Sequence, residues 1–151
     1  MQLAYTILYV EDVPKALAFY MHAFGIGQKF LYEGGDYGEL ETGATRLAFS
    51  SPKLMRELNK NPEAANANAP CLEISFATDD VEAAIKRAIS AGAQLMQAAK
   101  SMPLGQTIAY VADLDGFLIV MPFKTSTRSS AIPNSCRLAY GLTFASGAAG
   151  H

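Results

Sequence analysis

The sequence predicts an α+β fold made of two βαβββ halves, and three observations predict it. The chain carries an internal repeat: Leu8-Tyr9-Val10-Glu11-Asp12-Val13 and Phe76-Ala77-Thr78-Asp79-Asp80-Val81 are each an apolar strand, an acidic pair and a helix start. Subtracting Asp12 from Asp80 gives an offset of 68 residues, which also pairs Thr6 with Ile74 and Leu17 with Ile85. In each copy the second acid stands where a helix N-cap is needed. After each helix come short strands punctuated by glycine turns, a meander that places a mixed sheet in each half with helices on one face. Two equivalent halves usually face each other, so the space between them is where chemistry is expected.

Leu3 to Val10 is almost wholly apolar or aromatic, as a strand covered on both faces would be. Asp12 caps the following helix, with Pro14 inside the first turn where its missing N–H costs nothing. Val13, Leu17, Tyr20 and Phe24 make one apolar stripe, which Gly25 and Gly27 end. Gly34-Gly35-Asp36 turns the strand at 29–33 into that at 37–41, and Gly43 turns the chain again into Arg46 to Phe49. Ser51 to Pro70 is a polar, Asn- and Ala-rich connection with room for a short helix over Lys53 to Leu58. The second half opens with a strand from Leu72 to Thr78. Asp80 then caps a helix whose stripe is Val81, Ala84, Ile85, Ala88 and Ile89, closed by Gly92. Strands at 93–97, 106–112 and 117–123 follow, the last two joined by a turn carrying Asp115-Gly116, a strong hairpin signal. The expected organisation is a first module over 1–52, a linker over 53–70, a second module over 71–123 and a tail over 124–151. The tail's apolar patch, Leu138 to Phe144, leaves three readings open: an extra strand, a partner-binding segment or a disordered end.

With 50% hydrophobic and 17% charged residues, the 151-residue chain is ordinary for a globular protein, which argues against disorder over most of it. A net charge of -2 with scattered lysines and arginines supplies no basic stripe, so nucleic acid is not an expected partner. No apolar run approaches the ~20 residues a membrane-spanning helix needs, and no positive n-region precedes the first strand, so a cytoplasmic protein with no membrane partner is expected. Cys71 and Cys136 lack CxxC spacing and are expected to be unpaired thiols.

Three segments carry a family likeness: Tyr5-Thr6-Ile7-Leu8-Tyr9-Val10-Glu11-Asp12-Val13 with Ala18-Phe19-Tyr20, Glu73-Ile74-Ser75-Phe76-Ala77-Thr78-Asp79-Asp80-Val81, and Asp113-Leu114-Asp115-Gly116-Phe117-Leu118-Ile119. Over residues 1 to 123 the chain resembles the vicinal oxygen chelate superfamily, which includes glyoxalase I, extradiol dioxygenases and bleomycin-resistance proteins. The resemblance implies two βαβββ modules whose curled mixed sheets enclose a cleft, and a homodimer whose clefts are built from modules of one chain or of two. In metal-dependent members it places the ligands on the first and last strands of each module. The matching positions here are Tyr5, Ala48 (Leu47 if that strand slips by one), Glu73 and Val120. Alanine and valine offer no donor, and a tyrosine phenol with an ordinary pKa near ~10 must first lose its proton. Only Glu73 is a ready ligand, so neither a metal nor a cofactor is expected. His22 on the first helix and His151 at the end of the tail lie outside those strands.

Side chains alternate along a strand, so if Tyr5 faces the cleft then Leu3, Ile7 and Tyr9 do too, while Thr6, Leu8 and Val10 face the helix. The expected ligand-binding residues are Tyr5, Ile7, Tyr9, Arg46, Ala48, Glu73, Ser75, Tyr110 and Val120, an apolar, tyrosine-rich lining with one acid and one base. Glu73 is the sharpest of them, because a carboxylate among apolar walls must find a partner or titrate upward. One reading makes it the anchor of a cationic ligand, with Tyr5, Tyr9 or Tyr110 adding a cation–π attraction of about 0.5–2 kcal/mol. The other has it accept a hydrogen bond from Tyr5 or Arg46. Glu39 and Glu41 are expected on a wet strand face or, alternatively, at the cleft mouth for cationic ligands, Asp113 and Asp115 in a turn, and Phe19 and Tyr20 in the core. The predicted function is a metal-independent small-molecule-binding protein resembling bleomycin-resistance proteins, which sequesters a hydrophobic ligand that Glu73 would anchor if cationic. The alternative is a glyoxalase- or dioxygenase-like lyase or isomerase with Glu73 as general base.

Overall fold

A computed structural model describes residues 1–102 and 107–123. The chain runs β1 (Tyr5–Tyr9), α1 (Val13–Phe24), β2 (Gln28–Leu31), β3 (Tyr37–Leu40), β4 (Arg46–Ser50), α2 (Pro52–Glu57), β5 (Glu73–Ser75), α3 (Val81–Ser90), β6 (Gln94–Ser101), β7 (Thr107–Ala112) and β8 (Leu118–Pro122). The strands form two curled, open four-stranded sheets of order β1-β4-β3-β2 and β5-β8-β7-β6. In each sheet the first strand pairs in parallel with the last while the other pairings are antiparallel, so the expected α+β repeat of βαβββ is present twice.

The two helices start where the sequence says. The Asp12 side chain accepts the Lys15 N–H at 2.9 Å and that of Asp80 accepts the Ala83 N–H at 2.9 Å, each satisfying an otherwise orphaned amide of the first turn. Gly25 closes α1 in the left-handed conformation at φ 67°, which its missing Cβ allows without strain. Some boundaries move. Regular β5 is shorter than the expected strand, although pairing continues irregularly as Phe76 N–H donates to Val120 C=O and Thr78 N–H to Pro122 C=O. In contrast, β6 runs on to Ser101 through two register shifts. Gln106 and the whole tail from 124, with its patch Leu138 to Phe144 and Cys136, lie outside the described residues. Among the described residues no helix is long and apolar enough to cross a membrane.

One core serves both sheets. Leu8, Val10, Leu17, Tyr20 and Phe49 from the first half and Val111, Ile119 and Met121 from the second belong to a single buried cluster. Helix α1 packs against α3, and Phe24 stacks on Phe76 at 4.8 Å between ring centres. A polar strap crosses the same boundary: the buried Tyr20 hydroxyl donates to Asp113 Oδ2 at 2.8 Å. Asp113 Oδ1 meanwhile accepts the N–H groups of Asp115 and Phe117, fixing the β7–β8 turn. At the next residue of contact, Glu11 N–H donates to Asp115 Oδ1. The turn expected from Asp115-Gly116 is therefore also a dock for α1.

Helix α1 lies so close to β3 that position 38 has no space for a side chain. A Cβ on Gly38 would stand 2.6 Å from Leu17 Cδ1 and 3.3 Å from the Phe30 carbonyl oxygen. Gly38→Ala is expected to cost about 1–2 kcal/mol, most of it recovered in Gly38→Ala/Leu17→Val, as urea denaturation midpoints would show.

Candidate functional site

Alternation along β1 sends Leu8 and Val10 under the helices and turns the other set outward, which the exposures bear out: Leu8 is 1% exposed, Tyr5 41% and Ile7 45%. Two adjoining hollows occur where β1 faces β5. One of about 410 Å³ is lined by Arg46 and Leu47 from the first half and by Leu72, Glu73 and Ser75 from the second, and also by Thr6, which strand alternation assigns to the helix side. The other, of about 540 Å³, takes in Ile7 and Tyr9 with Pro70, Cys71, Leu72 and Leu118. Leu72 borders both.

The expected residues are thus divided. Arg46, Glu73 and Ser75 share the first hollow and Ile7 and Tyr9 share the second, whereas Tyr5, Ala48, Tyr110 and Val120 line neither. Ala48 and Val120 are buried, at 0% and 6% exposure. Tyr5 instead contacts Arg46, whose Nη1 donates to the Tyr5 hydroxyl at 2.8 Å while its guanidinium lies 5.5 Å from the ring centre. That contact already gives one face of Tyr5 a cation. Tyr110 is half-buried near Glu73, and its phenol pKa is raised first by burial and then by the Glu73 charge.

Arg46 does not turn to Glu73. Its Nη1 also donates to Glu39 Oε2 at 3.2 Å, and Glu39 Oε1 accepts the Tyr37 hydroxyl at 3.0 Å. Glu39 is only 8% exposed, which corrects the expectation of a wet strand face; Glu41, two residues on, is exposed and pairs with Lys29 at 3.1 Å. Burial, then the hydrogen bond to Glu39, pushes the Tyr37 phenol up to about 12. Alternation puts 39 and 41 on one face and cannot say which end of that face is covered, so this network leaves no mark in the residue pattern.

Glu73 is left without the hydrogen bond expected from Tyr5 or Arg46. Its Oε1 is shielded from solvent and has no hydrogen-bond partner among the described residues. Burial alone raises its pKa above the ordinary 4.5. Ser50 Oγ is similarly enclosed, but it is a neutral hydroxyl and its desolvation costs less than that of a carboxylate. A further hollow of about 520 Å³ at the start of α1 is charged, with Glu11, Lys15, Arg56 and Asp115 on its wall. There Asp12 and Asp115 already accept backbone N–H groups, so Glu73 is the more available acceptor.

The donor set does not fit a divalent metal. At the four positions that the resemblance assigns to ligands, Ala48 and Val120 have no donor atom and the Tyr5 oxygen is engaged by Arg46. Among the described residues no three His, Cys, Asp or Glu side chains converge. His22 is exposed on α1 with Nδ1 at 2.8 Å from the Ala18 carbonyl, and His151 lies outside the described residues.

The fold is shared with known structures. A glyoxalase-related enzyme from Fulvimarina pelagi superposes with a TM-score of 0.71 at 22% identity, covering 82% of this chain and 88% of its own. TioX from Micromonospora sp. ML1 gives 0.62 at 19% identity over 83% of this chain and 100% of its own. A lactoylglutathione lyase from Agrobacterium tumefaciens gives 0.61 at 19% identity over 80% and 91%. At such identities the likeness is one of fold. Among proteins with curated descriptions none matches this chain. The family model described as the Glyoxalase/Bleomycin resistance protein/Dioxygenase superfamily matches residues 2–121. With the repeat, the paired sheets and the facing strands in place, the chain belongs to that superfamily.

Proposed function

We propose that this chain is a metal-independent binding protein that sequesters a hydrophobic small molecule between its two sheets, with Glu73 holding the ligand's cationic group. One observation carries the reading: Glu73, on the wall of a 410 Å³ hollow, has a carboxylate with no hydrogen-bond partner among the described residues, one of its oxygens being shielded from solvent. A partly desolvated carboxylate with no partner is costly to keep charged, so a ligand cation meeting its accessible side stabilises that charge on binding. The neighbouring hollow, bordered by Ile7, Leu72 and Leu118, would take the apolar body. The lack of donors at Ala48 and Val120 supports metal independence. The apolar side chains Tyr5, Ile7 and Leu72, each more than two-fifths exposed beside these hollows, support a homodimer as the working unit.

A thermal-shift screen with cationic aromatic compounds tests the reading. Binders should raise the melting temperature, and Glu73→Gln should weaken them at least tenfold while leaving the fold intact. Failure of every such compound to stabilise protein shown to be dimeric would sink it. Acidification supplies a second check. Because the Glu73 pKa is raised, its proton returns at a pH above 4.5, and affinity for a cation should fall as pH drops through that point. Titrations of wild type and Glu73→Gln across this range would show the slope in the wild type alone.

The same raised pKa favours one second reading, in which Glu73 is a general base on a carbonyl substrate. Retained binding with lost turnover in Glu73→Gln would select it.

A further inference from the structure

The hollow beside Glu73 holds a second uncommitted group. A guanidinium has five N–H donors. Arg46 directs Nη1 to Tyr5 and Glu39, and its Nη2 and Nε make no hydrogen bond among the described residues. The Glu39–Arg46 ion pair at 3.2 Å and the Tyr5 contact hold the guanidinium in place, so these donors are offered in a fixed direction. Of the hydroxyls nearby, Thr42 Oγ1 donates to the Thr45 carbonyl and accepts the Leu47 N–H, and Thr45 Oγ1 donates to the Leu3 carbonyl, whereas Thr6 and Ser75 also line the hollow.

Charge decides what these donors would take. Arg46 is already balanced by Glu39, and Glu73 adds one negative charge to the same hollow, so the wall carries a net charge of about minus one. A ligand carboxylate would meet an arginine already neutralised by Glu39 and the remaining negative charge of Glu73. An uncharged carbonyl oxygen escapes that repulsion and still accepts the N–H.

We infer that the ligand class is the cationic aminocarbonyl compound: an ammonium for the Glu73 carboxylate, an uncharged carbonyl oxygen for Arg46, and an apolar substituent reaching past Leu72 into the 540 Å³ hollow. This assignment rests on the proposed binding function and names its ligand.

Isothermal titration of the full chain with four matched probes tests it. Phenylalaninamide carries all three features, phenethylamine lacks the carbonyl, phenylalanine exchanges the amide for a carboxylate, and N-acetylphenylalaninamide lacks the cation. Phenylalaninamide is expected to bind about tenfold more tightly than each of the others, the equivalent of one well-placed hydrogen bond or charge contact. Arg46→Met should erase its advantage over phenethylamine only. Since that change strands Glu39, the pair Glu39→Gln/Arg46→Met is measured beside it and should give the same result. Equal binding of phenethylamine and phenylalaninamide to the wild type, or tighter binding of phenylalanine, overturns the inference. If none of the four binds while other aromatic cations bind in a Glu73-dependent way, the aminocarbonyl assignment falls and the site survives. If no cation binds at all, both fall.

Discussion

Asp113→Ala is expected to lower stability by about 3 kcal/mol, a large share of what a domain this size possesses. Three hydrogen bonds disappear together: the buried one from Tyr20 and the two amide bonds that shape the turn before β8. Worse, the Tyr20 hydroxyl would be left at 0% exposure without an acceptor. Tyr20→Phe should cost less, about 1–2 kcal/mol, because Asp113 keeps both amide donors at Oδ1 and the turn keeps its shape, although Oδ2 loses its donor. The double variant Tyr20→Phe/Asp113→Ala should then be clearly less damaged than the sum, and urea denaturation of all four proteins measures that coupling. A pH signature accompanies it. Burial, partly countered by the Tyr20, Phe117 and Asp115 hydrogen bonds, raises the Asp113 pKa above its ordinary 3.8, so the folded state binds this proton more tightly than the unfolded one. The contribution of this group therefore declines as pH rises from 3.8 through the raised value, and Asp113→Asn should lack that component. A wild type whose Asp113-dependent term grew with rising pH would contradict the assignment.

Gly116→Ala should be about as harmful, near 3 kcal/mol, and for two separable reasons. The residue sits at φ 91°, where a side chain costs about 1–2 kcal/mol. Its Cβ would also stand 2.7 Å from the Ala65 carbonyl oxygen, and a backbone atom cannot swing aside as a side-chain terminus does. Gly25→Ala isolates the first term, since φ there is 67° and nothing lies within 4 Å of the added carbon. It should cost only about 1 kcal/mol. Equal losses in the two variants, by denaturation midpoint, would show that the Ala65 contact adds nothing. The contact also bears on binding, because Ala65 and Gly116 both border the 540 Å³ hollow. A displaced Ala65 segment should weaken any ligand seated there.

The sequence carried the architecture well because its signals are local. Each N-cap, helical stripe and glycine turn is settled by a few neighbouring residues, and the 68-residue offset then doubled the information from each. That residue 73 borders the hollow was legible too, because the 68-residue offset pairs it with Tyr5 on the first strand. What lay beyond reach was pairing at a distance. Tyr20 read as core and Asp113 as turn, and both descriptions hold, yet their bond spans 93 positions and leaves no periodic trace. Glu39 was missed for a related reason. Its partner Arg46 was known to be near the cleft, but whether their strand face is open to water depends on how the sheet curls. The division of the expected pocket into two hollows follows equally from curvature, which alternation along a strand does not encode.

The continuous interior has a consequence for the history of the repeat. Phe24 of one half rests on Phe76 of the other, and a tyrosine of the first is tethered to the turn of the second. An ancestral single unit would have shown that greasy flank to solvent, and self-association about a twofold axis would have been its simplest remedy. Fusion then freed the copies to diverge, which is how one inner wall could acquire the acid and the other the arginine that now share a hollow.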